Sequence, residues 1–148
     1  MLSSIKYEDM TFFQWGEIYE SGNEIIDNDH KVLLRLINDL YLEMARGDGK
    51  EIVNSTLDQL VDYSKNHFRR EEMLMKSIDY PYFEEHETQH DAFIAMISKF
   101  LKRTNSDSIT LDMANFLKNW LSNHILVSDK KFAYHLELKN ITKQLPDK

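Results

Sequence analysis

The middle of the chain, residues 63–90, contains two pairs of side chains, three histidines and one glutamate, whose spacing restricts what the chain can fold into. His67 and Glu71 are four residues apart, as are His86 and His90, and a proline-containing break separates the two pairs. Residues four apart lie on the same face of an α-helix, so each pair points in one direction. Two helices joined by a short turn would bring three imidazoles and one carboxylate into a shared space, which is how helical bundles build metal sites.

Apolar residues along the rest of the chain repeat in steps of three and four, which predicts a bundle of four amphipathic helices. The predicted helices lie at residues 24–46, about 50–76, around 83–100 and around 113–127. Four Gly and two Pro residues in the whole chain leave few helix breakers. Because the connections are short, we expect an all-α fold with antiparallel up-down-up-down order.

The pattern predicts one domain, residues 1–148, with three parts: an arm (1–23), the bundle (about 24–128) and a C-terminal segment (about 130–148). The arm is rich in aromatic residues (Phe12, Phe13, Trp15 and Tyr19) and shows no helical period. We expect it to pack across the bundle as an apolar lid, since aromatic side chains are usually buried. Lining a ligand pocket is the alternative. The C-terminal segment is predicted to form a short helix.

Most of the histidines occupy inward-facing positions where Leu or Ile would be expected. Five of the six do so, together with one carboxylate: His30, His67, His86, His90, His124 and Glu71. A single such histidine is usually a hydrogen-bonded core residue. Six polar groups on four helices would each need a separate buried partner, whereas a shared cation satisfies all of them. In an antiparallel bundle these positions also fall towards the same end, so the sequence predicts a metal site there.

Asp129 is a further candidate ligand, five residues after His124. On a regular helix that offset is about 500°, or roughly 140° away from His124, so both cannot face inward. A widened π-turn would bring them together, and such turns are frequent at functional sites. The alternative is an exposed acid at a helix end, which is the usual place for Asp. His135 lies beyond the bundle pattern and is interpreted as a surface residue or as a neighbour of the site, not as a ligand.

Composition and charge limit the partners. The formal net charge of −7 disfavours binding to nucleic acid or to an anionic membrane. The chain has no cysteine, so disulfides and iron–sulfur clusters are excluded. The N-terminal residues do not resemble a signal peptide, and no apolar run approaches the roughly 20 residues of a membrane span. We therefore expect a cytoplasmic protein.

Four segments together resemble the hemerythrins, in particular the single-domain bacterial hemerythrins. These are IDNDHK at 26–31, HFRREE at 67–72, HETQH at 86–90 and WLSNHILVSD at 120–129. The resemblance extends from about Phe12 to Tyr134. One departure lies before His30, where the family often has Glu-Gln and this chain has Asn28-Asp29. These positions are not ligands, but they are expected to alter the surroundings of His30.

The resemblance implies a non-haem di-iron centre with an oxo or hydroxo bridge. One iron would be bound by His86, His90 and His124, and the other by His30 and His67. Glu71 and Asp129 would bridge the two irons. O₂ would bind reversibly at an open position on the two-histidine iron. Three residues near His124 are expected to form the wall of the O₂ pocket, with ordinary core packing as the alternative: Trp120, Leu121 and Ile125.

This resemblance favours a protein that stores, delivers or scavenges O₂ and is not an enzyme. The sequence is also compatible with three other hypotheses. These are a sensor of O₂, NO or redox state acting through a separate partner; a di-iron enzyme that processes NO or peroxide; and a bundle that holds zinc or no metal. The sequence does not identify a protein partner.

Overall fold

The computed structural model describes residues 12–104 and 111–144, and most of these residues are helical. The helices are α1 (Glu24–Arg46), α2 (Lys50–Ser77), α3 (Phe83–Thr104), α4 (Leu111–His124) and α5 (Lys130–Gln144). A π-turn, Ile125–Asp129, joins α4 to α5, and a short 3-10 turn, Glu17–Tyr19, precedes α1. The described residues include no strand, and the predicted all-α fold is confirmed.

Helices α1 to α4 form an antiparallel up-down-up-down bundle. Helix α2 packs against α1 and α3, and α4 packs against the same two helices from the other side. The predicted first and second helices match α1 and α2 to within one residue at each end. No helix in the described part of the chain is both long enough and apolar enough to cross a membrane.

The helix ends follow from local sequence chemistry. The Asn23 side chain accepts a hydrogen bond from the Ile26 N–H at 3.0 Å and so caps α1. Gly47 ends α1 in the left-handed region at φ 75°, where a residue without a Cβ is not strained. Asp79 has φ 52° in the α2–α3 turn, and Asp tolerates this region better than most residues. Pro81 lies in the same turn, two residues before α3 begins, and so forms part of the predicted break between the two helices.

The predicted short C-terminal helix is confirmed as α5, Lys130–Gln144. The backbone stays helical through the π-turn that joins α5 to α4, with both flanking residues, His124 and Lys130, in the right-handed α-region. Helix α5 then buries Phe132 and Leu136 against one end of the bundle. The C-terminal helix is therefore a continuation of α4 that covers this end. Residues 145–148 lie outside the described part of the chain.

The apolar core has two parts. The larger cluster fills the bundle and includes Leu33, Ile37, Leu57, Phe93 and Leu121. The smaller cluster closes the end near the α2–α3 turn and consists of Ile26, Met75, Ile78, Tyr80, Phe132 and Leu136. The inward-facing histidines lie between them, since the His90 ring contacts Phe68 of the larger cluster and the His86 ring contacts Tyr80 and Phe132 of the smaller one.

The aromatic arm packs across α1 and α4, as predicted, although its first 11 residues lie outside the described range. Phe13 is buried in the core, and the Asn38 amide both accepts from its backbone N–H (2.6 Å) and donates to its carbonyl (2.7 Å). Lys118 Nζ donates to the Phe12 carbonyl at 2.8 Å. The hydroxyls of Tyr19 and Ser122 are hydrogen-bonded at 2.9 Å. These polar contacts fix the arm over the seam between the two helices.

Replacing Asn38 with Ala removes both hydrogen bonds to Phe13. We expect the free energy of unfolding to fall by about 1–3 kcal/mol, because two intramolecular bonds are lost and a half-buried backbone segment loses its partners. Arg35→Ala is the matched control, since Arg35 is exposed on the same helix. Its effect should stay within about 0.5 kcal/mol. Urea unfolding measures both, and equal midpoints would show that the Asn38 pairing does not hold the arm.

Candidate metal centre

Seven ionisable side chains from four helices and the π-turn meet inside the bundle. All are between 0 and 4 % exposed: His30 (α1), His67 and Glu71 (α2), His86 and His90 (α3), His124 (α4) and Asp129 (π-turn). The structure thus brings together all seven residues singled out as metal ligands from the sequence. His135 is half-buried outside this group, with its ring 5.2 Å from that of Tyr80.

The widened turn that the His124–Asp129 offset requires is present. Residues Ile125–Asp129 form a π-helical segment, so one extra residue is accommodated between the two side chains. Asp129 is consequently 1 % exposed and not at the surface where the α-helical periodicity alone would place it. His124 Nε2 and Asp129 Oδ1 are 3.2 Å apart.

Glu71 divides the histidines into two groups. Its Oε1 lies 3.2 Å from His90 Nε2 and 3.6 Å from His86 Nε2. Its Oε2 lies 3.1 Å from His67 Nε2 and 3.9 Å from His30 Nε2. The two oxygens of one carboxylate therefore face two different sets of imidazole nitrogens.

Asp129 repeats this arrangement with its own two oxygens. Its Oδ1 lies 2.9 Å from His86 Nε2, and its Oδ2 lies 2.8 Å from His30 Nε2. Among the described residues there are two sets of possible ligand atoms, and within each set all atoms lie within 4.8 Å of one another; Glu71 belongs to both sets. One set is Glu71, His86, His90, His124 and Asp129, and the other is His30, His67 and Glu71. This pattern fits two adjacent cation positions, with Glu71 and Asp129 each able to reach both.

Many of the converging atoms have no hydrogen-bond partner although they are fully buried. They are Nε2 of His30, His67, His90 and His124, both oxygens of Glu71, and Oδ2 of Asp129. His30 Nε2 and Asp129 Oδ2 are close enough to bond but are not aligned for a hydrogen bond. An unpaired buried polar atom costs about 1–3 kcal/mol, so seven together would be a heavy penalty. Atoms that are close but aimed past one another fit metal ions held between them.

The outer nitrogen of His67 is held by a small polar network. Asp29 Oδ2 lies 2.8 Å from His67 Nδ1 and accepts a hydrogen bond from Arg70 Nη2, also at 2.8 Å. Tyr63 donates its hydroxyl to Asp29 Oδ1 at 2.7 Å. The change at Asn28-Asp29 was expected to affect the surroundings of His30. Asp29 instead reaches His67 on α2, because adjacent residues on α1 point about 100° apart.

The outer nitrogens of His90 and His124 have their own partners. Glu72 Oε2 lies 2.7 Å from His90 Nδ1, and Gln89 Oε1 lies 2.7 Å from His124 Nδ1. Ser128 donates to the same Gln89 oxygen at 2.7 Å. Since carboxylate and amide oxygens only accept, each Nδ1 carries the hydrogen, and Nε2 of the neutral ring is left with its lone pair towards the cluster. Such outer partners orient the rings that bind metals.

Aromatic side chains cover the three-histidine group. Phe68 stacks on the His90 ring with centroids 3.8 Å apart and planes within 4°. Trp120 stacks on the His124 ring at 4.7 Å. Leu121 on α4 and Ile125 in the π-turn, the other two predicted pocket residues, are fully buried in the larger core cluster. Their role in a pocket stays a prediction.

Sequence reasoning missed several of these neighbours. Glu72, Gln89 and Phe68 each lie directly beside a predicted ligand in the chain, but nothing in their spacing separates them from ordinary polar or core residues. Their adjacency to ligands was the one available signal, and it does not tell which way a side chain points.

The electrostatics of the cluster favour positive charge. Burial opposes charge on Glu71 and Asp129, but the adjacent imidazoles hold the pKa of each carboxyl well below its usual range. Burial likewise opposes charge on His67, yet the Glu71 carboxylate raises the pKa of His67 to about 10. Hydrogen bonds to Asp129 and Glu71 raise the pKa of His86 to about 9 against its burial. Burial dominates at His124, whose pKa is lowered. Two buried anions therefore attract either protons or metal cations.

Comparison with known proteins gives a consistent result. The family described as "Hemerythrin HHE cation binding domain" matches residues 21–136. A bacteriohemerythrin of Pseudomonas aeruginosa is 30 % identical over 125 residues, which cover 84 % of this chain and 81 % of that protein. A bacteriohemerythrin of Clostridium acetobutylicum is 29 % identical over 127 residues, covering 81 % and 98 %. A wild-type hemerythrin crystal structure superposes with a TM-score of 0.77 at 26 % identity, covering 82 % of this chain and 95 % of that one.

The metal-free protein should lose stability as the pH rises from about 6.5 to 10. The raised pKa values of His67 and His86 mean that the folded state keeps protons which the unfolded chain releases near pH 6.5. Bound metal replaces those protons, so the metal-loaded protein should not show this loss. Urea unfolding across this pH range, with and without metal, measures both. A metal-free protein that gains stability between about pH 6.5 and 10 would contradict the raised pKa values of His67 and His86.

Proposed function

The chain belongs to the hemerythrin family, and from this premise we propose that it binds O₂ reversibly at a non-haem di-iron centre, in storage, delivery or scavenging of O₂. Family membership implies the di-iron type of centre. The observation that supports it most strongly in this chain is the convergence of five buried imidazoles and two buried carboxylates, most of whose inward atoms lack hydrogen-bond partners. We treat residues 1–148 as one hemerythrin-like domain with its arm, bundle and C-terminal segment.

We assign His86, His90 and His124 to one iron and His30 and His67 to the other. Glu71 and Asp129 would span the two positions, because each presents one oxygen to each group of histidines. The first group has one histidine more than the second. The two-histidine position would therefore be the one with room for an exogenous ligand.

The chain's own side chains prepare the site for this chemistry. When bound, the two irons supply the electrons and the Lewis-acid positions for reversible O₂ binding. Asp29, Glu72 and Gln89 hold three of the rings with Nε2 facing inward. Leu121 and Ile125 are fully buried apolar residues close to His124 in the chain, and Trp120 stacks on the His124 ring. An apolar wall of this kind would limit the access of water to the metal positions.

The ligand set supports a carrier over an oxygenase. Five neutral imidazoles and two carboxylates donate less negative charge than a site built mainly of carboxylates. A less electron-rich centre favours reversible binding over cleavage of the O–O bond. A sensor acting through a partner protein, and an enzyme that processes NO or peroxide, would use the same ligands, so solution measurements have to separate them.

The purified protein should contain about two irons per chain. After anaerobic reduction, admitting O₂ should produce a visible absorption band that disappears when O₂ is removed and returns when it is readmitted. Metal analysis and absorption spectroscopy test this. A chain with zinc in place of iron would exclude the di-iron centre. Turnover of NO or peroxide above the background of free iron would favour an enzyme over a carrier.

Substitutions at ligand positions should separate ligands from neighbours. His67→Ala and Glu71→Ala should each reduce iron to about one per chain or less, since each removes a donor from the smaller group. His135→Ala is the control, because His135 is a half-buried histidine outside the cluster. It should retain about two irons. Equal loss in all three variants would mean that the ligand assignment is wrong.

A further inference from the structure

Asp29 makes three hydrogen bonds beside the candidate metal centre, and one of them reaches a proposed ligand. Its Oδ2 accepts from His67 Nδ1 and Arg70 Nη2, each at 2.8 Å, and its Oδ1 accepts from the Tyr63 hydroxyl at 2.7 Å. The Asp29 side chain is 13 % exposed, whereas that of Arg70 is 52 % exposed. The carboxylate is thus fixed from three sides and is partly shielded from water.

Among the described residues, Asp29 is the one anion at an outer nitrogen of the two-histidine group. His30 Nδ1 is buried and has no hydrogen-bond partner there. In the other group, His90 has the Glu72 carboxylate as its partner and His124 has the neutral amide of Gln89, each at 2.7 Å. Asp29 therefore gives His67 a charged acceptor that His30 does not have in the described part of the chain.

We propose that Asp29 is a positioning and tuning residue for the iron held by His30 and His67, with Arg70 and Tyr63 as the groups that limit its effect. A hydrogen bond to a carboxylate fixes the ring orientation and makes the inward nitrogen more basic. Arg70 shares the same oxygen as His67, so it withdraws part of that charge. The inference rests on the proposed di-iron function.

Two consequences follow for the metal. A more basic Nε2 holds the iron more tightly, so Asp29 should slow its release. A more negative ligand also stabilises the ferric state relative to the ferrous state, so Asp29 should lower the midpoint potential of the centre. Removing the charge of Arg70, or the hydroxyl of Tyr63, leaves more of the Asp29 charge to His67. These changes should lower the potential further.

Asp29→Asn tests the first consequence with a side chain of the same shape. In anaerobic ferrous protein with an excess of chelator, we expect one iron to leave about tenfold faster than from the wild type, as substitutions of outer partners commonly cost 10–100-fold in affinity. The midpoint potential should rise. Glu24→Gln is the control: it removes an equal charge from an exposed position on the same helix and should behave as wild type.

Arg70→Gln and Tyr63→Phe test the sign of the shift in midpoint potential, and both variants keep the Asp29 carboxylate. Both should lower the midpoint potential, and neither should release iron faster than wild type. A merely structural role would instead give faster release in all three variants with no opposed shifts in potential. Because these two variants retain the anion beside His67, they decide the question even if Asp29→Asn does not fold, which circular dichroism will show.

The outcomes separate this inference from the proposed function. Wild-type protein that holds no di-iron centre would overturn both. Wild-type protein that binds two irons and O₂, with Asp29→Asn unchanged in release and potential, would overturn the inference alone. A shift of Arg70→Gln in the same direction as Asp29→Asn would also overturn it. Opposite shifts in the two variants would support it.

Discussion

The burial of two carboxylates, Glu71 and Asp129, is the constraint on which the rest of this structure depends. They are 3 % and 1 % exposed, and each lies close to imidazole nitrogens of both histidine groups. A buried anion without a partner is strongly destabilising, so the fold must supply positive charge at this place. The imidazoles supply it as protons when no metal is present, and a metal pair would supply it otherwise. The two carboxylates therefore have to be neutralised by bound protons or by metal ions, because neutral groups alone cannot offset their charge.

The helices hold the imidazole and carboxylate groups of the cluster at fixed positions relative to one another. Pairs four residues apart place His67 with Glu71, and His86 with His90, on inward faces. The π-turn brings in Asp129, and the continuous α4–α5 backbone then covers the end of the bundle with Phe132 and Leu136. Apolar clusters lie on both sides of the ligands, which lowers the local dielectric and strengthens every interaction within the cluster.

Features that depend on spacing along one helix could be predicted from the sequence, whereas contacts between side chains of different helices could not. Helix bounds and inward histidines follow from periodicity, since spacing along a helix determines direction. Asp129 was ambiguous, because its spacing is wrong for a regular helix and only the resemblance to a family favoured it. Asp29, Glu72 and Gln89 could not be identified as outer partners, since their bonds depend on how neighbouring helices are rotated and on side-chain rotamers. Spacing contains no information about either, as shown by Asp29, which contacts His67 and not the surroundings of His30.

The central claim is that Glu71 and Asp129 each span two metal positions a short distance apart. X-ray absorption at the iron edge of the reduced and oxidised protein tests it most directly, because it reports the neighbours of each iron whatever the protein does with O₂. The account predicts a shell of nitrogen and oxygen donors and a second iron within about 4 Å, as in other two-metal sites. Iron with no metal neighbour in that range, in fully loaded protein, would contradict it.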